Sequence, residues 1–266
     1  MKVKANGITI NYEAEGPEGA PVLMVSHGIA TSNAIWADVS ALLRGKYRVI
    51  RYDSRGHGGT DAPKADYTLD QLADDAAALI DALGLRKVHY GGLSLGGMTA
   101  IGMALDHADK LHSAICCDAR AAANPDFVDG WKQRIGVVRE KGMEALVEPT
   151  VSRWLHKDVL ADKARTDPLR ELIRQTPPDG FCGSAAALQG LNYGPRLKDI
   201  RVPMLYLTGA QDGGAPPAEL REMTRQTPGA QYVEIPESGH ISTVEQPKAV
   251  AEAIDRFIGS LAARAA

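Results

Sequence analysis

Three unbroken apolar runs, Val22-Leu23-Met24-Val25, Ala114-Ile115-Cys116-Cys117 and Met204-Leu205-Tyr206-Leu207, and the largely apolar stretch 47–52 divide this chain into a repeating pattern. Runs of this length without polar alternation are expected of strands covered on both faces. A further strand is predicted at Gln231-Tyr232-Val233-Glu234-Ile235, and another at Lys87-Val88-His89-Tyr90. By contrast, Ile8-Thr9-Ile10-Asn11-Tyr12-Glu13 alternates, as a half-exposed antiparallel strand does. Between the runs the apolar period lengthens to that of a helix. Helices are predicted over residues 35–43, 97–105, 217–227 and 247–261, the last burying Val250, Ile254, Phe257 and Ile258. Thr68-Leu69-Asp70-Gln71 is a capping box opening a helix with Leu72, Ala76, Leu79, Ile80 and Leu83 on one face, and Gly84 stops it. Strand–helix alternation predicts an α/β fold, a mostly parallel twisted sheet flanked by helices. The alternation lapses after the strand ending near Asp118. Residues 121–194 are helical in character, opening on Asn124-Pro125 and punctuated by Pro149, Pro168, Pro177 and Pro178. We therefore expect a core of residues 1–120 and 195–266, with a helical cap of residues 121–194 over the carboxyl edge of the sheet, where ligands bind in open α/β sheets.

Candidate chemistry lies in the turns at strand ends. Gly92-Leu93-Ser94-Leu95-Gly96 fits G-x-S-x-G, in which a strained turn between strand and helix exposes a serine Oγ and leaves no room for side chains at the flanking positions. A hydroxyl nucleophile needs a base, and the base an orienting acid. In this architecture the order along the chain is Ser, then Asp or Glu, then His. Ser94, Asp212 and His240 satisfy it, the latter two in loops after predicted strands. Asp118, at the end of the strand after the elbow helix, is the alternative acid. The backbone N–H groups of Ile29 and Leu95 are the expected oxyanion donors, the first freed by the turn at Gly28. His57 precedes the serine in a glycine-rich turn and is read as structural or pocket-lining.

At this point the residues resemble the α/β-hydrolase superfamily along nearly the whole chain, and within it the 3-oxoadipate enol-lactonases, which open a lactone in aromatic-compound degradation. The resemblance is carried by Arg51-Tyr52-Asp53-Ser54-Arg55-Gly56-His57-Gly58, Gly92-Leu93-Ser94-Leu95-Gly96-Gly97-Met98, Gly209-Ala210-Gln211-Asp212 and His240-Ile241-Ser242-Thr243-Val244-Glu245-Gln246-Pro247. Trp131, Arg134, Arg153 and Trp154 add to it. It implies a serine hydrolase acting on a small ester or lactone through an acyl-enzyme, without cofactor or metal. His27-Gly28-Ile29-Ala30-Thr31, Asp118-Ala119-Arg120 and Leu188-Gln189-Gly190-Leu191-Asn192-Tyr193 depart from the lactonase pattern, so the substrate is where the resemblance is weakest. A carboxylate on the substrate would need a partner when buried. Arg120, Arg134 and Arg153 are the candidates, with Trp131 and Trp154 as packing residues or pocket walls.

Composition narrows the alternatives. The 266 residues carry a net charge of −3, which disfavours nucleic acid and anionic membranes as partners. No apolar run approaches the roughly 18 residues of a membrane span, and the N-terminal stretch is not a signal peptide, so a cytoplasmic protein is expected. Three cysteines form no disulfide framework or metal cluster, and Cys116 and Cys117 read as small core residues. Competing functions are a carboxylesterase of other preference, a hydrolase of carbon–carbon bonds in ring-fission products, a cofactor-free oxygenase or perhydrolase, and a non-catalytic receptor for a small ligand. The oligomeric state is not readable.

Overall fold

The apolar runs form the middle of one sheet. A computed structural model describes residues 1–265. Its eight strands are β1 (Lys2–Ala5), β2 (Ile8–Glu15), β3 (Val22–Ser26), β4 (Arg48–Tyr52), β5 (Val88–Leu93), β6 (Leu111–Cys117), β7 (Met204–Gly209) and β8 (Gln231–Ile235), in the order β1-β2-β4-β3-β5-β6-β7-β8. Every residue of β5 and β7 is buried, as expected of central strands covered on both sides. From β4 to β8 all pairings are parallel, whereas β2 pairs antiparallel with both β1 and β4. The helices are α1 (Ala37–Leu43), α2 (Leu69–Ala82), α3 (Leu95–Asp106), α4 (Pro125–Lys141), α5 (Val147–Trp154), α6 (Lys163–Gln175), α7 (Pro178–Gln189), α8 (Pro217–Gln226), α9 (Ser242–Glu245) and α10 (Pro247–Ala265).

Two local features differ from expectation. β1 was not anticipated. The Asn6-Gly7 turn that makes it possible has φ of 46° and 76°, the pair of positive values a tight two-residue hairpin needs. Helix α3 starts two residues early, because Gly96 and Gly97 are glycine for lack of space and not to interrupt the helix. A Cβ on Gly96 would sit 2.7 Å from the Ser26 carbonyl oxygen, and one on Gly97 2.8 Å from Ala119 Cβ.

Caps are made as the sequence suggests. Thr68 Oγ1 accepts from the Gln71 N–H at 3.0 Å, and Asn124 Oδ1 accepts from the Phe127 N–H at 2.8 Å. Helices α4 to α7 all lie in the chain between β6 and β7. The polypeptide enters and leaves this stretch side by side: Ala123 N–H donates to Leu191 O at 2.9 Å and Tyr193 N–H to Ala121 O at 2.7 Å. Among the described residues no helix is long and apolar enough to cross a membrane.

Candidate active site

Strand β5 is followed at once by Ser94, whose backbone holds φ 54° and ψ −112°, a conformation few residues other than glycine adopt. The Ser94 N–H donates to Cys117 O at 2.8 Å, and the Gly96 N–H to His27 O at 3.0 Å, so neighbouring strands hold the kink from both sides. At Gly92 a Cβ would land on the Gly96 carbonyl. The turn therefore cannot relax without displacing α3.

Ser94 Oγ lies 3.0 Å from His240 Nε2. On the other side of the ring, His240 Nδ1 is 3.0 and 2.9 Å from the two oxygens of Asp212. A carboxylate only accepts, so Nδ1 carries the proton, and Nε2 is left to accept from the serine hydroxyl. Asp212 is itself oriented by the Gly214 and Ala215 N–H groups, which donate to Oδ1 at 2.6 and 3.0 Å. Burial opposes charging the imidazole, but the Asp212 carboxylate, with a smaller contribution from Asp118, outweighs it and raises the His240 pKa above its ordinary value.

Asp118 stays off the ring. Its carboxylate accepts from Gly209 N–H at 2.8 Å and from the Ser242 hydroxyl and N–H, bracing the loop that bears His240 against the end of β6. Burial first, then the neighbouring Asp212, push its pKa well above the usual carboxylate range. Of the two acids weighed in the sequence, the structure brings Asp212 to the imidazole and makes Asp118 a brace.

Ile29 and Leu95 flank the serine, and neither N–H has a hydrogen-bond acceptor among the described residues. The loop carrying Ile29 rests on two fully buried histidines. His57 Nε2 accepts from the Ala30 N–H at 3.0 Å while its Nδ1–H donates to Arg55 O; His27 Nε2 accepts from the Ser54 N–H at 3.0 Å while its Nδ1–H donates to Gly28 O. Both rings must stay neutral to do this. Burial, then the neighbouring His27, push the His57 pKa down to about 3, and burial lowers that of His27. The sequence left His57 between a structural and a pocket-lining role; the structure places it beneath the loop that carries Ile29 and Ala30.

A cavity of about 320 Å³ opens above Ser94 and His240, walled by Trp131, Trp154, Phe127 and Leu188 from the inserted helices. Arg134 and Arg153 also line it, and neither makes an ion pair or a side-chain hydrogen bond with a described residue. Arg134 stacks on the Trp131 ring at 4.7 Å, and burial lowers its pKa. Arg153 keeps surface exposed at the rim, yet desolvation by its surroundings, and then the like charge of Arg134, push its pKa down to about 10. Trp131 Nε1–H is buried without an acceptor among the described residues. Arg120 differs: it pairs with Glu219 at 3.1 Å and donates to Gly214 O at 3.0 Å, so its charge is already answered. Among the described residues no three His, Cys, Asp or Glu side chains converge as a metal ion would need.

Sequence reasoning assigned no chemistry to Glu245. Its carboxylate is buried and accepts from the Gly239 N–H at 2.7 Å, the His156 N–H at 2.6 Å and the Ser238 hydroxyl at 3.3 Å. The stretch from His240 to Pro247 held the residue in view. Its partners at 156 and 239 are brought together only by folding.

Comparison with known proteins agrees with this fold. A family model for the alpha/beta hydrolase fold matches residues 21–247. The 3-oxoadipate enol-lactonase 1 of Acinetobacter baylyi is 30% identical over 263 residues, covering 98% of this chain and 97% of that protein. The crystal structure of the enol-lactonase from Burkholderia xenovorans LB400 superposes with a TM-score of 0.93 at 31% identity, covering 97% of this chain and 100% of that one. A malate-bound thermophilic esterase from Thermogutta terrifontis superposes with a TM-score of 0.91 at 30% identity, over 98% of each chain.

Proposed function

The chain belongs to the α/β-hydrolase family and is a hydrolase, and from that premise we propose that it opens a small carboxylate-bearing lactone or ester, as an enol-lactonase does, with Ser94 as nucleophile. The observation that carries the proposal is the Ser94–His240–Asp212 alignment facing a cavity with two guanidiniums that no protein carboxylate answers. Arg134 is half-buried and Arg153 exposed at the rim, yet partial desolvation and their like charges both disfavour the pair, and a bound anion would offset that cost. The relatives named enol-lactonase and the malate-bound esterase support a ligand of this kind.

In the proposed reaction, Ser94 Oγ attacks the carbonyl carbon while His240 Nε2 takes its proton, and Asp212 stabilises the imidazolium. The carbonyl oxygen becomes an oxyanion between the Ile29 and Leu95 N–H groups, a contribution of about 3–4 kcal/mol for each donor. Collapse breaks the acyl C–O bond, and His240 protonates the leaving oxygen. Water, deprotonated by His240, then attacks the acyl-enzyme and frees Ser94. Residues 121–194 act as a cap, holding the substrate body against Trp131 and Trp154 with its carboxylate on Arg134 and Arg153.

A hydrolysis panel of carboxylated enol-lactones, neutral lactones and short aryl esters tests this. We expect the highest kcat/KM on the carboxylated lactones and a loss of about 10⁴-fold or more in Ser94→Ala. Arg134→Ala with Arg153→Ala should remove the preference for the carboxylate and leave neutral esters nearly unchanged. Turnover confined to neutral aryl esters would replace the lactonase reading with a carboxylesterase. Ser94→Ala retaining a tenth of the activity would dismiss the nucleophile.

A further inference from the structure

The segment that leaves α5 of the proposed cap passes directly over the loop that bears His240. His240 N–H donates to Trp154 O at 2.6 Å, and the two rings lie 6.2 Å apart. One carboxylate joins the two pieces of chain. Glu245 Oε1 takes the His156 N–H from the cap side, and Oε2 takes the Gly239 N–H and the Ser238 hydroxyl from the catalytic side. No cation pairs with the Glu245 carboxylate among the described residues; these donors, with a smaller contribution from the Ile241 N–H, are what hold it. Burial raises its pKa, and the donors act in the opposite direction, as hydrogen bonds to a carboxylate must. Gly239 completes the contact: a Cβ there would land on Trp154 O and crowd His156 N at 3.1 Å.

We infer that Glu245 is a positioning residue whose carboxylate clasps the segment 154–156 to the loop 238–240, so that seating of the cap and placement of the catalytic imidazole are one event. The inference rests on the reading of His240 as general base. Its physical content is that both backbone N–H groups preceding the ring, those of Gly239 and His240, are satisfied through the clasp, one by Glu245 and one by the cap carbonyl. Freeing them lets the ring leave the line between Ser94 and Asp212. Arg153 and Trp154 lie at the end of α5, where this segment begins, and wall the cavity, so a ligand drawn onto them pulls on the segment that holds the base.

Two variants separate this from a merely structural role. Glu245→Gln keeps the size but presents one oxygen and one NH2, so one of the two N–H donors must face another donor. Gly239→Ala leaves the carboxylate intact and pushes the cap segment away, since the nearest atoms its Cβ meets all belong to residues 154–156. On 4-nitrophenyl acetate, we expect each to lower kcat by about 10- to 100-fold with KM nearly unchanged, the size of loss that small misplacements of a catalytic group produce. The acidic limb of the kcat/KM profile should move to lower pH as the ring loses its hold on Asp212. Should Glu245→Gln fail to fold, Gly239→Ala decides. Full kcat and an unmoved acidic limb in the folded variants, even with a lowered Tm, would overturn the inference. Failure of the underlying reading looks different: Ser94→Ala would then be as active as the wild type.

Discussion

Ser94 holds its φ of 54° because Cys117 O, His27 O and the first turn of α3 leave its backbone nowhere else to go. The same dependence on neighbours governs the residues behind it. His57 accepts the Ala30 N–H only while neutral, and Ala30 itself sits at φ 58°, next to the proposed oxyanion donor Ile29. Its pKa of about 3 lies below the value of about 6.5 expected in the unfolded chain. Between those two values the unfolded state binds a proton that the native state refuses, so this residue removes stability as pH falls below about 6.5. Gln at position 57 can accept a hydrogen bond but carries no titrating proton. The stability deficit of His57→Gln relative to the wild type should therefore shrink from pH 7.5 to pH 5, measured by urea denaturation at each pH. A deficit that stays constant or grows would show that His57 is not held neutral. The sequence could present His57 only as a histidine in a tight turn, because its donor, Ala30, lies 27 positions away and reaches it through the parallel sheet.

At the scale of elements, glycines with identical chemistry have opposite consequences. Gly92 lies where strand and helix nearly touch, and an alanine there would collide with the Gly96 carbonyl. Gly136 lies inside α4, exposed, with nothing within 4 Å of a Cβ. Gly92→Ala should cost about 3 kcal/mol or more, or yield no folded protein. Gly136→Ala should stabilise by about 0.5–1 kcal/mol, since alanine restricts the unfolded chain and suits a helix. Chemical denaturation of the two checks this; a neutral Gly92→Ala would mean that the elbow is looser than its contacts require. The elbow glycines were legible from their spacing around Ser94. The β1 hairpin was not, because four residues of Lys2–Ala5 carry too little periodicity to announce a strand, and only pairing with β2 defines it.

Across the whole molecule, two of the contacts that fasten the inserted helices to the rest of the fold bear on the cavity. One is the contact through Glu245. The other is α7, where a Cβ on Gly180 would land on the Gly56 carbonyl, and Gly56 at φ 81° has no freedom to retreat. The same helix contributes Leu188 to the cavity wall. Gly180→Ala should lower stability by about 1–3 kcal/mol and raise KM, because α7 must lift away from the loop after β4. Denaturation together with Michaelis parameters reads both. If stability falls while KM stays fixed, the α7 contact holds the fold without shaping the pocket.

The linear chain determined the strand–helix alternation, the helical stretch interrupting it, the elbow around Ser94 and the order in which Ser94, Asp212 and His240 occur. Each is written in local periodicity or in residue types adjacent in sequence, and local sterics suffice to read them. Tertiary structure alone decided that Asp212 and not Asp118 reaches the imidazole, that Arg120 is paired while Arg134 and Arg153 are not, and that Glu245 joins residues 156 and 239. Those distinctions depend on which of several chemically equivalent side chains ends within about 3 Å of a partner. A sequence specifies that distance only by folding.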